Sequence, residues 1–111
     1  MIVDKGKEKL AEHLQNTYTR VKIGNGGDDT AGSQTQLDSV VATKNSITPS
    51  RIGSQLVWSI SFLGSEIGTQ GVSELGIFAT DDTLLTRLTF TNTGVVPSGD
   101  TVTFTVRVEV D

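Results

Sequence analysis

Apolar residues recur at every second position through the closing segment, where Val102, Phe104, Val106, Val108 and Val110 alternate with Thr103, Thr105, Arg107 and Glu109. Successive side chains of a strand point to opposite faces, so this run predicts a strand over 101–110 that buries five apolar side chains on one face. The same period appears in Leu56, Trp58, Ile60 and Phe62 against Gln55, Ser59 and Ser61, which predicts a central strand over 54–63. Val21 and Ile23 against Arg20 and Lys22 predict a strand over 18–23. Weaker alternation through Leu37 and Val41 predicts another over 37–47, stopped by Pro49. The run 72–79 is apolar on both faces near its end, and Thr80-Asp81-Asp82-Thr83 turns it back into a strand over 84–91, with Leu84, Leu88 and Phe90 in phase.

The opening segment has a different period. Gly6, Leu10, His13 and Leu14 fall on one side at helical spacing, while Lys5, Lys7, Glu8, Lys9 and Glu12 face away, which predicts one amphipathic helix over about 3–16 with Asp4 as its N-cap. A helix of about three turns does not stand alone and needs a surface to lie on. Leu10, His13 and Leu14 are therefore the candidate interface residues. The glycine-spaced stretches 24–33 and 64–71 contain little to bury and read as surface loops. One helix and six strands at this spacing predict a mainly β fold, an antiparallel β-sandwich or partly open barrel built as a single domain over 1–111.

Composition narrows the function classes. Acidic residues outnumber basic ones by 13 to 9, for a net charge of −4, and the only cluster of basic residues is Lys5, Lys7 and Lys9. Nucleic acid is not an expected partner, because binding it requires a concentrated positive field. The chain has no cysteine, which excludes disulfides, zinc–thiolate sites and thiol nucleophiles. Its opening residues lack the layout of a secretory signal, so export is not expected. The uncharged stretch Ile52–Ser65 is shorter than the ~20 apolar residues of a spanning helix, so no membrane partner is expected either.

No set of residues spells out catalysis, and no catalytic residue or cofactor is assigned. His13 is the single histidine and has no neighbour in sequence to orient it as a base. No Gly-x-Ser-x-Gly elbow or His-Glu-x-x-His pair occurs. Gly24-Asn25-Gly26-Gly27 lacks the Lys and Ser/Thr of a phosphate loop, and Asp28 and Asp29 would repel an anion. Asn25, Asp28 and Asp29 are weak candidates for calcium, whose ligands are oxygens on a flexible loop, but their spacing matches no EF-hand and no metal is assigned. Glu66 and Glu74 are a poor glycosidase pair in a chain with six aromatic side chains. Glu74 stands out as a carboxylate inside an apolar strand, and bonding to backbone or to an arginine such as Arg87 or Arg51 is expected. Trp58 is in phase with the core.

The order of these pieces resembles small virion proteins of tailed bacteriophages, of tail-fibre-like or capsid-decoration type. The resemblance covers nearly the whole chain, from Ile2-Val3-Asp4-Lys5-Gly6 through Val21-Lys22-Ile23-Gly24-Asn25-Gly26 to Gly99-Asp100-Thr101-Val102-Thr103-Phe104-Thr105-Val106. Its most specific piece is the Glu-x-Gly-hydrophobic-Phe element at Glu74–Phe78. The resemblance implies a non-enzymatic protein of the virion, made in the host cytoplasm. It would dock on another virion protein as a capsid decoration or cement protein, or as an adaptor of the tail or its fibres. It also implies a symmetric homo-oligomer, with a trimer as the expectation. The alternative is a carbohydrate- or calcium-binding module that reads a receptor with the loops at 24–33 and 64–71.

Overall fold

A computed structural model describes residues 1–27 and 33–111. Helix α1 spans Asp4–Thr17, close to the expected 3–16. Its N-cap is Val3 rather than Asp4: Val3 is extended, and its carbonyl accepts from Lys7 N at 3.0 Å. Asp4 instead occupies the first turn, where its charge meets the positive end of the helix dipole. The buried face is also rotated from the expected stripe. Ala11 is fully buried, with Leu14 and Tyr18 packed beside it, while Leu10 and His13 point to solvent. A side chain as small as Ala11 lets the helix axis lie close to the sheet, and the larger flanking residues fill the space on either side. Two bonds pin this end of the helix: Trp58 Nε1 donates to Tyr18 O at 2.9 Å and Gln15 Nε2 to Pro49 O at 3.0 Å.

The described strands form two antiparallel sheets. Strands β1 (Arg20–Gly24), β2 (Val40–Lys44), β5 (Glu74–Phe78) and β6 (Leu84–Thr89) form one in the order β2-β1-β5-β6. Strands β3 (Ser50–Ile52), β4 (Gln55–Leu63) and β7 (Thr101–Glu109) form the other in the order β3-β4-β7. The mainly β expectation holds, and between its two forms the architecture is the sandwich, since the sheets do not close into a barrel. Val21, Ile23, Leu75 and Ile77 from one sheet meet Leu56, Trp58, Ile60, Phe62 and Val106 from the other in a single core.

Three elements depart from the sequence reading. Strand β3 was not expected; its three residues pair with β4 around a two-residue turn, with Gly53 at φ +59°. The run 37–47 keeps strand geometry only over β2, because Leu37 leaves the sheet to pack over its outer face. Within the expected loop 64–71, Gly64–Ile67 forms a short helix, α2, with Glu66 Oε1 accepting from Leu63 N at 2.8 Å and Ile67 buried.

Strand β7 has the expected phase but not the expected burial. Of its five inward apolar residues only Val106 is buried, at 5% exposure; Val102, Phe104 and Val108, with Val110 just beyond, are half-covered. The cause is position: β7 ends its sheet, β6 ends the other, and both lie on the same side of the sandwich, where Phe90 stacks toward Phe104 at 5.8 Å between ring centroids. A strand at the rim has neighbours on only one flank.

Candidate interaction surfaces

The Glu-x-Gly-hydrophobic-Phe element becomes intelligible on β5. Glu74, Gly76 and Phe78 share the outer face of the sheet, opposite Leu75 and Ile77, which enter the core. Glu74 is wholly buried. Its Oε2 accepts from Gly26 N at 2.8 Å and Ser39 N at 2.9 Å, and its Oε1 from Asp38 N at 3.0 Å. Arg87, across the hairpin on β6, donates Nε at 3.1 Å and Nη2 at 2.9 Å to the same Oε1. Arg87 also reaches Asp38 Oδ2 at 3.2 Å and Gln34 Oε1 at 3.2 Å. Burial alone would raise the Glu74 pKa; the backbone donors of Ser39, Asp38 and Gly26, with Arg87, outweigh it and hold the carboxyl below its ordinary range.

This node fastens both ends of the β1–β2 connection onto the sheet. Gly26 leaves no room for a side chain, since a β-carbon there would come within 2.6 Å of Glu74 Oε2. Gly76 does the same under the connection, where a β-carbon would stand 2.9 Å from Leu37 Cδ2. Phe78 lies beneath Lys22, whose Nζ is 4.6 Å from the ring centroid. The element is thus a device for holding a long connection, and both oxygens of Glu74 are engaged in it. The expected partners were backbone or arginine, and Glu74 takes both. Arg51 is elsewhere, donating Nη1 to Gly53 O at 2.9 Å. Glu66 is apart from Glu74 as well, capping α2 and pairing with Lys44 at 3.6 Å.

Of the weak metal candidates, Asp28 and Asp29 lie outside the described residues. Asn25 commits its side-chain Nδ2 to Gln70 Oε1 at 2.6 Å. Among the described residues no three of His, Asp and Glu come together in a group able to hold a metal ion.

The three candidate interface residues on α1 separate into two roles. Leu10 is 46% exposed and His13 faces solvent, 3.5 Å from Thr17 Oγ1. Leu14 instead packs on the core. Gly6, Leu10 and His13 follow one another at helical spacing along the outer face; Ile2 and Val3, ahead of the helix, are exposed too, and the Ile2 side chain lies against Gly6.

A second surface lies at the rim opposite α1, which contacts β3 and β4. Between β6 and β7 opens an apolar cavity of about 210 Å³ lined by Leu75, Leu88, Phe90, Thr93, Phe104 and Val106. Leu88 sits opposite Leu75 in the ladder and so points inward, yet it is 42% exposed, and Phe90 is 37% exposed. The sequence signals for this surface were present as the phase of β7 and of Leu88, but its openness was not. Leu84, expected in phase with Leu88 and Phe90, lies on the outer face beside Gly76, because β6 shifts register opposite Ile77 and Phe78 and Leu85 packs on the core in its place. No family model matches the chain and no curated protein matches it.

Proposed function

We propose that the chain is a non-enzymatic structural protein of a tailed-phage virion that docks on another virion protein, as a capsid decoration or cement protein or as a tail or fibre adaptor. The resemblance described above supplies the class. The observation that carries the docking role is the set of exposed apolar residues at this end of the molecule, Ile2 and Val3 just ahead of α1 and Leu10 on it, on a chain whose conspicuous buried charge pair is spent on holding a connection. Exposed apolar side chains gathered in one patch are suited to lying against a protein surface.

The test is a rebinding experiment. Particles of the encoding phage made without this chain are mixed with the purified protein and sedimented. The wild-type chain co-sediments, L10E loses most of its binding, and mass spectrometry of intact particles counts the copies. Many copies per particle identify the decoration role and few the adaptor role. Absence of the chain from purified particles refutes the proposal.

A further inference from the structure

We infer that β7 pairs antiparallel with β7 of a second copy of this chain about a two-fold axis at Thr105, joining two three-stranded sheets into one of six. The inference holds or fails independently of the virion reading, since the purified chain alone tests it.

The direction of the unpaired groups comes from the ladder. Strand β7 pairs with β4 from Gln55↔Glu109 to Leu63↔Thr101 without a bulge. Val110 N donates to Ser54 O and Asp100 O accepts from Gly64 N, so the even-numbered residues turn their N–H and C=O toward β4. Antiparallel pairing alternates, so Thr101, Thr103, Thr105, Arg107 and Glu109 turn theirs to the open rim. No strand pairs with that flank among the described residues. Few of the features that protect rim strands are present: Thr101–Glu109 contains no proline, no lysine and no bulge, and its two charged residues, Arg107 and Glu109, are of opposite sign. The neighbouring rim strand β6, by contrast, is irregular, with a register shift opposite Ile77 and Phe78.

The strand is also complementary to itself. Residues directly opposite in an antiparallel pair face the same side, and a two-fold axis at Thr105 overlaps the whole strand. Thr101 then faces Glu109 of the second copy, Thr103 faces Arg107 and Thr105 faces Thr105. On the inner side Val102 meets Val108 and Phe104 meets Val106. No like charges are opposed, and the inner pairs are aromatic with β-branched or β-branched with β-branched, which favour each other across strands. About ten backbone hydrogen bonds form in this register. The two seam cavities come together, covering Phe104, Leu88 and Phe90, which the single chain leaves part-exposed. The half-covered apolar face of β7, whose sequence reads as fully buried, receives its missing flank. An isologous edge of this kind closes at two copies, where a trimer needs a different contact.

The absence of cysteine makes a clean test available. In T105C the two substituted positions lie ~5.5 Å apart at the axis, within disulfide reach. In T101C they lie ~27 Å apart, eight residues of strand rise. Mild oxidation is expected to link T105C into a covalent dimer and to leave T101C unlinked. Without oxidation, wild type sediments as a dimer. T105P, which removes only rim-facing N–H groups and leaves the β4 ladder whole, dissociates at least ~30-fold more readily. The inference is overturned by a wild-type chain that stays monomeric at high micromolar concentration, by linking of T101C in preference to T105C, or by a T105P that dimerises as wild type does while circular dichroism shows it folded.

Discussion

Replacing Arg87 by methionine isolates the node that holds the β1–β2 connection. Methionine keeps an unbranched apolar stem in the same space but removes the two N–H groups that Glu74 Oε1 accepts at 3.1 and 2.9 Å, together with those to Asp38 and Gln34. The carboxylate remains fully buried, with the N–H groups of Gly26, Asp38 and Ser39 left among the described residues to stabilise its charge. Removing one partner of a buried ion pair costs about 3–5 kcal/mol, and the three surviving donors place R87M near the lower end, ~3 kcal/mol. For a domain of this size that lowers Tm by roughly 10–15 °C. Urea unfolding followed by the fluorescence of Trp58, the single tryptophan and a fully buried one, reads the change directly. Combined with E74Q in a double-mutant cycle, the coupling should reach at least ~1 kcal/mol. An R87M within ~0.5 kcal/mol of wild type would refute the assignment of the node as the anchor.

The same node sets a pH dependence. Because the Glu74 carboxyl is held below its ordinary value of 4.5, the folded state gives stability that is complete above that value and lost as pH falls below it through the folded-state pKa. Acid titration of unfolding free energy should therefore fall more steeply below that point in wild type than in E74Q, and parallel curves would contradict this. Enlarging Ala11, the fully buried residue at the helix–sheet contact, to leucine should destabilise by about 1–3 kcal/mol in thermal melts, while L10A should stay within ~0.5 kcal/mol; the reverse order would place the buried face where the sequence stripe put it. Chelating divalent cations is expected to leave Tm unchanged, and a fall of several degrees, reproduced by D28A, would support calcium binding by Asn25, Asp28 and Asp29.

What the sequence disclosed follows from what each signal depends on. Alternation in β4 is local and its strand is central, flanked on both sides, so phase and burial agree at Leu56, Trp58, Ile60 and Phe62. The same alternation in β7 gave the right phase and more burial than the single chain provides, because alternation reports which face a side chain takes and not whether a strand is central or at the rim. On α1 the pattern favoured Leu10 over Ala11, since alanine carries a weak hydrophobic signal even where its smallness is what close packing requires. Strand β3 is too short to show a period, and Pro49 masked its start. Glu74 stood out as a lone carboxylate among apolar neighbours, and Arg87 was a readable partner. The backbone donors of Gly26, Asp38 and Ser39 were not, because an N–H is common to nearly every residue and only the tertiary fold selects which ones arrive.

The most direct measurement is amide hydrogen exchange along β7, read residue by residue at high and low protein concentration. If this is an open sandwich completed by a second copy, the rim-facing amides of Thr103, Thr105 and Arg107 are protected at high concentration and lose that protection on dilution, while those of Val106 and Val108, bonded to β4, stay protected throughout. Free exchange of the rim-facing amides at every concentration would contradict it.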